Sequence, residues 1–252
     1  MKTITNSIWF PKTSEKAVLL FHGLASSSFE TRGLAEYLTE KNLAVYSPTL
    51  SFHQSRRLAD LKKANLATWK KDARKAYRKV SSFKKVFAGG ISNGALLAAY
   101  LARQYSLAGL IMICPPIKTG FSIFKYLPQE KIFKWLGDKF EYLPRFDFHM
   151  VQNWSLAKNL PRFRKLPAHF SHQAILLARE TRENLSKIKS PLLVIQAKYD
   201  NRSAPEGIDY LLKNVGSETK DLFLARNSGH VVLLDNDRQE IFEKIARFIN
   251  RL

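Results

Sequence analysis

The stretch Gly89-Gly90-Ile91-Ser92-Asn93-Gly94 decides the fold, because it joins an apolar run to a helix-forming run. The apolar run, residues 86–88, has the valine and phenylalanine typical of a strand, whereas the alanine- and leucine-rich residues 95–100 favour a helix. Glycines flank the serine in a G-x-S-x-G pattern, which leaves room for a strained backbone at Ser92. We therefore predict a nucleophile elbow, a sharp strand-to-helix turn that projects the Ser92 hydroxyl from the edge of a sheet. The alternative is an ordinary glycine-rich connection with an incidental serine.

The composition indicates a globular chain with a sizeable core. Its 252 residues are 45% hydrophobic, which suits one α/β domain with an insertion, or two small domains. The first residues lack an apolar block long enough for a signal peptide, and no apolar run in the sequence reaches membrane-spanning length. The single cysteine, Cys114, excludes an internal disulfide and ends an apolar run, so we expect it to be buried. These features together predict a cytoplasmic protein.

The charge is the one unusual bulk property, because 41 Lys and Arg face 21 Asp and Glu and give a formal net charge of +20. The basic residues concentrate at 62–63, 70–79 and 162–165. The middle group has the pattern of a helix with a solvated face, and neither a zinc-ligand set nor an RNA-binding motif accompanies it. The pattern therefore argues against nucleic-acid binding and favours either a solvated basic surface or attraction to anionic lipid.

Strand-like and helical segments alternate along the chain, which predicts a parallel α/β sheet. The apolar run at 16–23 is continuous, as in a strand that is buried on both faces. Residues 49–61 carry no clear pattern and are predicted to be a loop. The further strands are predicted at 43–48, 86–88, 107–114, 191–197 and 221–225. The helices are predicted at 29–41, 67–80, 93–105, 205–215 and 235–249.

The alternation breaks between residues 117 and 190, a span too long for a single connection in a compact domain. We interpret residues 117–190 as a mainly helical cap over one end of the sheet, inserted into a core formed by 1–116 and 191–252. The span is unusually aromatic; most rings are expected to pack the cap onto the core, and a few to line an apolar pocket for an acyl chain or aromatic group. These rings belong to Phe121, Phe124, Tyr126, Phe133, Trp135, Phe140, Tyr142, Phe146, Phe148, Trp154, Phe163 and Phe170.

Three chemically capable side chains follow predicted strands at the carboxyl edge of the sheet, where sites in open α/β sheets collect. Ser92 follows the elbow strand, Asp200 follows the strand at 191–197, and His230 follows the last strand. In this order a nucleophile, an orienting acid and a base can meet in space. The alternative interpretations are a helix-capping role for Asp200 and a surface loop for His230.

Four segments carry a resemblance to a known superfamily. The chain resembles the α/β hydrolases, and most closely the small capped bacterial carboxylesterases and monoacylglycerol lipases. The resemblance covers nearly the whole core, whereas the cap matches only in position and approximate length. It implies an α/β-hydrolase fold, with a mostly parallel sheet flanked by helices and an inserted, mainly helical cap. The segments are Leu19-Leu20-Phe21-His22-Gly23, Gly90-Ile91-Ser92-Asn93-Gly94, Gln196-Ala197-Lys198-Tyr199-Asp200 and Ser228-Gly229-His230-Val231-Val232-Leu233-Leu234-Asp235.

The resemblance also implies a role for each site residue. Ser92 would attack the substrate carbonyl, His230 would accept its proton, and Asp200 would orient the imidazole. The backbone N–H groups of Leu24 and Asn93 would form the oxyanion hole, in which losing one donor typically costs ~10²–10³ in rate. No metal and no organic cofactor is implied.

The chain departs from this superfamily in the loop after the strand predicted at 43–48. Ser51-Phe52-His53-Gln54 stands where a Gly-His-Gly-like turn is usual. Asn93 also stands where a larger apolar residue is common, although its backbone N–H is unaffected. We expect both departures to act on the surroundings of the substrate.

Together these features predict a serine hydrolase that cleaves carboxylic esters through an acyl-enzyme, first of all a carboxylesterase for short to medium acyl chains. The alternatives are a monoacylglycerol lipase or lysophospholipase in peripheral contact with anionic membranes, and a non-catalytic ligand receptor on the same fold. Amide and thioester cleavage remain open, whereas dehalogenation and epoxide opening on this fold use an aspartate nucleophile. The expected partner is a small-molecule ester with an apolar acyl group.

Overall fold

A seven-stranded sheet forms the centre of the computed structural model, which describes residues 6–53, 57–118, 129–145, 150–160 and 163–252. The strands in chain order are β1 (Ile8–Phe10), β2 (Lys16–Phe21), β3 (Ala44–Ser47), β4 (Lys85–Ile91), β5 (Gly109–Ile113), β6 (Tyr142–Pro144), β7 (Lys165–Pro167), β8 (Leu192–Tyr199) and β9 (Lys220–Gly229). The sheet has the order β1-β3-β2-β4-β5-β8-β9, and all its pairs are parallel except β1 with β3. The mostly parallel sheet predicted from the sequence is confirmed.

Helices cover both faces of this sheet. They are α1 (Phe29–Glu40), α2 (Leu58–Leu61), α3 (Leu66–Val80), α4 (Asn93–Gln104), α5 (Gln129–Lys139), α6 (Ala168–Glu183), α7 (Pro205–Asn214) and α8 (Arg238–Arg251). Buried side chains of α1 and α8 share one hydrophobic cluster, and those of α3, α4, α6 and α7 share the other. The sheet is therefore the middle layer of three.

Strand β2 shows why its sequence is a continuous apolar run. Ala17 and Leu19 lie in the cluster on the α3 and α4 side, whereas Val18 and Leu20 lie in the cluster on the α1 and α8 side. All four side chains are fully buried. Successive residues of a strand point to opposite faces, so a central strand of a three-layer fold needs apolar residues at every position.

The sequence prediction was wrong about several short elements. Strand β1 was not predicted, and the segment predicted as a loop at 49–61 contains the one-turn helix α2. In the segment predicted as a mainly helical cap, β6 and β7 pair as an antiparallel two-stranded sheet. Elements of three or four residues are too short to show a hydrophobic period, which explains these errors.

The described aromatic residues between 117 and 190 differ widely in burial. Phe170 is fully buried and Phe163 packs against the core, but Trp135 and Phe140 are 56% and 51% exposed. Trp154 is also exposed. Five of the predicted rings lie outside the described residues: Phe121, Phe124, Tyr126, Phe146 and Phe148. Trp135, Phe140 and Trp154 are therefore exceptions to packing among the described rings, and the packing of most of the twelve on the core stays a prediction.

Helix α6, within the predicted cap, packs directly on the core. Glu180 forms ion pairs with Lys70 of α3 and with Arg103 of α4, the latter at 2.8 Å between Oε1 and NH2. The Gln173 side-chain oxygen accepts a hydrogen bond of 3.0 Å from the Leu66 N–H at the start of α3. These contacts fix α6 against the core, while the outer limits of the cap, 117–190, stay a prediction.

The basic segment at 70–79 lies within α3, as predicted. The helix buries Trp69, Ala73, Ala76 and Val80 and exposes most of its Lys and Arg side chains to solvent, so the solvated basic face is confirmed. None of the helices in the described residues combines the length and the apolar character that crossing a bilayer requires. The cytoplasmic location stays a prediction.

Candidate active site

The predicted elbow is present between β4 and α4. Ser92 has φ 56° and ψ −123°, a strained backbone for a residue with a side chain. A Cβ added to Gly90 would lie 2.4 Å from the carbonyl carbon of Gly94, and one added to Gly94 would lie 2.3 Å from the carbonyl oxygen of Phe21. Both glycines are therefore required for steric reasons, because the turn brings backbone against backbone on either side of the serine.

Ser92, His230 and Asp200 form a continuous hydrogen-bonded chain. The His230 Nε2 atom lies 2.9 Å from the Ser92 Oγ, and its Nδ1 atom lies 2.9 Å from an Asp200 carboxylate oxygen. The aspartate can only accept at this contact when ionised, so Nδ1 carries the proton and Nε2 presents its lone pair to the serine hydroxyl. The structure thus brings the three sequence-predicted residues together in the arrangement that a general base and a nucleophile require.

The Asp200 carboxylate is held ionised by its partners. Burial alone would raise its pKa, but the neighbouring His230 and the amide N–H groups of Ser203 and Arg202 outweigh burial and lower the pKa below its ordinary value. Those amides lie 3.0 Å and 2.7 Å from Oδ1, and the Gln196 side-chain amide lies 3.1 Å from Oδ2. Asp200 can therefore keep a negative charge beside an imidazole that gains a positive one.

The two proposed oxyanion donors, Leu24 and Asn93, belong to segments next to Ser92. Asn93 is the first residue of α4, so its N–H has no partner within the helix and lies at the positive end of the helix dipole. Leu24 follows Gly23, whose added Cβ would lie 3.4 Å from the Ser92 Cβ. The Ala25 backbone, at φ 54°, is strained as well. The loop is therefore bent tightly against the nucleophile, as an oxyanion hole would require.

Two buried side chains hold this loop, and one of them could not be recognised from the sequence. The Glu30 carboxylate accepts a hydrogen bond of 2.7 Å from the Gly23 N–H, and burial raises the pKa of Glu30. His22 donates from Nδ1 to the Gly23 carbonyl at 2.9 Å and accepts at Nε2 from the Leu50 N–H at 3.0 Å. His22 thus shapes the loop, as its sequence position suggests. Glu30 was missed because its position on α1 resembles an ordinary first-turn acid.

His53 is the second residue that the sequence did not reveal. Its ring is 97% buried, 5.1 Å from the ring of His22 and 5.6 Å from the ring of Phe170 on α6. Its Nδ1 donates to the Ser51 carbonyl at 3.0 Å. Burial lowers the pKa of His53 to about 4 and that of His22 to about 3, so both rings are neutral near neutral pH.

We expect His53→Asn to make folding less sensitive to acid. Below about pH 6.5 the unfolded chain protonates this histidine while the native chain does not, so the free energy of unfolding falls as the pH falls. Between about pH 7 and about pH 5 the variant should lose ~2 kcal/mol less stability than the wild type, as measured by urea unfolding. Asparagine places its amide nitrogen near the Nδ1 position, which retains the bond to Ser51.

The matched control is His169→Asn, because the His169 ring is exposed to solvent on α6. This variant should show the wild-type pH dependence. Identical pH dependence in wild type and His53→Asn would contradict the account of a buried neutral His53.

Cys114 lies next to the same cluster. Its sulfur, an Asp200 carboxylate oxygen and a His230 ring nitrogen all lie within 4.8 Å of one another. The side chain is fully buried, which confirms the prediction, and burial raises the pKa of the thiol well above its ordinary value. Cys114 therefore stays uncharged and contributes packing beside Asp200 rather than a second nucleophile.

Comparisons with known proteins agree with this geometry. The family described as serine aminopeptidase, S33, matches residues 12–237. A carboxylesterase of Bacillus subtilis (strain 168) is 23% identical over 254 residues, which cover 100% of this chain and 99% of that protein. A thermostable monoacylglycerol lipase of Bacillus sp. (strain H-257) is 25% identical over 247 residues, with 95% and 92% covered. A structure reported for the metagenome-derived lipolytic enzymes LipS and LipT matches with a TM-score of 0.88, 24% identity and 98% of both chains covered.

The family match extends over most of the chain and includes Ser92, Asp200 and His230. The structural match supports the same fold over nearly the whole length. The resemblance inferred from the motifs is therefore confirmed: the chain belongs to the serine aminopeptidase (S33) family of the α/β hydrolases.

Proposed function

We propose that the chain is a carboxylesterase that cleaves esters of short to medium acyl chains through an acyl-enzyme on Ser92. The observation that carries the proposal is the pair of 2.9 Å contacts that link Ser92 to His230 and His230 to Asp200. A bare serine hydroxyl is a weak nucleophile, and this arrangement supplies the base that activates it. The elbow exposes the hydroxyl at the carboxyl edge of the sheet, where a substrate can approach.

The reaction follows from these groups in two stages. Ser92 Oγ attacks the ester carbonyl as its proton passes to His230 Nε2, and the N–H groups of Leu24 and Asn93 stabilise the resulting oxyanion. The intermediate collapses to the acyl-enzyme, and His230 returns the proton to the leaving alcohol. A water molecule then repeats the sequence against the acyl carbonyl and releases the carboxylic acid. Asp200 keeps the imidazole in the useful tautomer and stabilises its protonated form.

The choice of an ester over an amide bond is supported by the relatives. The family description names an aminopeptidase, but the two curated relatives that match almost the whole chain are a carboxylesterase and a monoacylglycerol lipase. The nucleophile at the elbow is a serine, which argues against the aspartate-dependent reactions of the same fold.

The test is hydrolysis of nitrophenyl esters from acetate to palmitate, beside an aminoacyl nitroanilide as the peptidase substrate. We expect turnover that is highest at a short or medium acyl chain and negligible on the anilide. Activity on the anilide alone would overturn the ester assignment. Absence of turnover and of labelling by a fluorophosphonate would favour the ligand-receptor alternative.

A second candidate, a lipase for monoacylglycerols or lysophospholipids at an anionic surface, is favoured by helix α5. Its Trp135 is exposed and meets the exposed Phe140 ring edge-on, with 6.4 Å between centroids. The same helix exposes three lysines: Lys131, Lys134 and Lys139. Apolar rings beside lysines, on a chain of net charge +20, suit the interface of a membrane rich in anionic lipid.

We expect the double substitution Trp135→Ala and Phe140→Ala to weaken binding to phosphatidylglycerol vesicles by about tenfold or more, because two apolar anchors are lost. Sedimentation with vesicles measures this, and added salt should weaken wild-type binding as well. Leu224→Ala is the matched control, since Leu224 is 57% exposed on the edge strand β9, outside helix α5. Wild-type binding that is equally strong on neutral and on anionic vesicles would contradict this candidate.

A further inference from the structure

We propose that Asp235 is a positioning residue that fastens segment 150–153 of the predicted cap to the loop that carries His230. The proposal rests on the proposed function, because it concerns the base of that reaction. Asp235 ends the last of the four resembling segments, yet the mechanism above assigns it no task. Its carboxylate is fully buried and touches neither Ser92 nor Asp200 through any hydrogen bond that the structure describes.

The Asp235 carboxylate accepts four backbone hydrogen bonds from two different parts of the chain. On the cap side, the Gln152 N–H lies 2.7 Å from Oδ2 and the Asn153 N–H lies 2.9 Å from Oδ1. On the core side, the Gly229 N–H lies 2.8 Å from Oδ2 and the Asn236 N–H lies 3.0 Å from Oδ1. Each oxygen therefore takes one donor from the cap segment and one from the His230 loop.

The two parts are joined by further contacts next to this carboxylate. The Val231 N–H, directly after His230, donates to the Met150 carbonyl at 2.8 Å. Met150 and Val151 are buried in one hydrophobic cluster with Val231 and Leu234. His230 thus lies between two anchored residues. The Gly229 N–H is bonded to the Asp235 carboxylate, and the Val231 N–H is bonded to Met150 on the cap side.

Only an ionised carboxylate satisfies this geometry. Four N–H donors need two oxygens with free lone pairs, whereas an amide offers one oxygen and turns an NH₂ group toward two of the donors. Leaving a buried backbone N–H without a partner costs free energy. With an amide at position 235, segment 150–153 would therefore move away from the His230 loop. Such a movement would displace His230, because the N–H groups of its neighbours Gly229 and Val231 are bonded to Asp235 and Met150.

The test compares wild type with Asp235→Asn in two measurements on the folded protein. The first is hydrogen exchange of the amides of Gln152, Asn153 and Gly229. The second is the rate at which a small fluorophosphonate labels Ser92, which depends on the His230 base. We expect faster exchange at all three amides and labelling slowed by up to about 10²-fold, the cost of a misplaced catalytic group.

Asp237→Asn is the matched control. Asp237 accepts hydrogen bonds from the Asn227 N–H at 2.7 Å and the Ser228 hydroxyl at 2.7 Å in the same loop, and its described bonds reach no residue of 150–153. This variant should lower stability while amide exchange at Gln152 and Asn153 stays at the wild-type rate. A merely structural role for Asp235 would lower the melting temperature and leave the labelling rate of the folded protein unchanged, which would overturn the proposal.

Should Asp235→Asn fail to fold, Val151→Ala loosens the same segment without altering the carboxylate. Val151 is 97% buried, and its truncation should also slow labelling of Ser92. Unchanged labelling in Val151→Ala would then overturn the proposal. If wild type is neither labelled nor active on any ester, the proposed function fails instead, and the amide exchange measurement still decides whether Asp235 joins the two segments.

Discussion

Replacing Ser92 with alanine is expected to lower kcat for ester hydrolysis by at least ~10⁴-fold, because the acyl-enzyme can no longer form. Alanine also has a Cβ, so the strained backbone at φ 56° is no worse than in the wild type and the elbow should persist. KM should change little, since the substitution removes one hydroxyl and leaves the proposed oxyanion donors in place. Steady-state kinetics on the best nitrophenyl ester, with a circular dichroism check of folding, measures the effect.

Ser47→Ala is the matched control for this substitution. Ser47 is a buried serine whose hydroxyl lies 2.6 Å from that of Thr31, and it has no part in the proposed mechanism. The variant should keep ester hydrolysis close to the wild-type rate. A Ser92→Ala protein that retained most of its activity would show that the reaction uses another nucleophile.

Replacing Gly94 with alanine is expected to destabilise the chain by about 4 kcal/mol or more, at the upper end for single substitutions. The added Cβ would lie 2.3 Å from the Phe21 carbonyl oxygen and 2.5 Å from the His22 carbonyl oxygen. Both atoms are backbone, so neither can move aside without displacing the end of β2 and the loop that holds Leu24, the proposed oxyanion donor. Urea unfolding measures the free energy, and activity should fall even in the fraction that folds.

Gly137→Ala is the matched control, because it is also a helical glycine that becomes alanine. The nearest atoms to an added Cβ there lie 3.7 Å away, an ordinary contact distance. Alanine in helix α5 should stabilise the chain by about 0.5–1 kcal/mol, the usual helix preference over glycine. Equal and small effects at the two glycines would contradict the steric account of the elbow.

The positions of Ser92, Asp200 and His230 could be predicted from the sequence because each follows a short, recognisable pattern. The G-x-S-x-G pattern is recognisable within five residues, although only the Gly90 clash is with a residue of the same turn and the Gly94 clash is with Phe21 on β2. The strands before Asp200 and His230 are recognisable as apolar runs. The carboxyl ends of parallel strands meet at one edge of the sheet, so the order of these side chains was enough to place them together. The structure confirms that they meet, while their catalytic roles stay a proposal.

The surrounding residues could not be predicted because their partners are distant in the sequence or on another element. Glu30 holds the N–H of Gly23 from the next helix, and His53 packs on Phe170, more than a hundred residues away. Asp235 was visible as part of a motif, but its four donors include two from segment 150–153. No period or local pattern encodes such contacts, which depend on how the segments pack.

The burial of the aromatic side chains in the predicted cap could not be derived from the sequence, for a related reason. Aromatic residues on an interior helix and on an interfacial helix have similar spacing, so the sequence could not distinguish packed rings from exposed ones. The sequence predicted that most of these rings pack on the core, without saying which; Trp135 and Phe140 are exposed to solvent on a segment that also exposes lysines. That exposure is also what gives the membrane-associated alternative its specific support.

The most direct test of the central claim, that Ser92 is the nucleophile of a serine hydrolase, is mass spectrometry of the protein after reaction with a fluorophosphonate. We predict a single adduct on the peptide that contains Ser92, prevented by prior incubation with the best ester substrate. It should be absent from Ser92→Ala and slowed in His230→Ala, which lacks the base. An adduct on a different residue, or no adduct on a wild-type protein that does hydrolyse esters, would contradict the account.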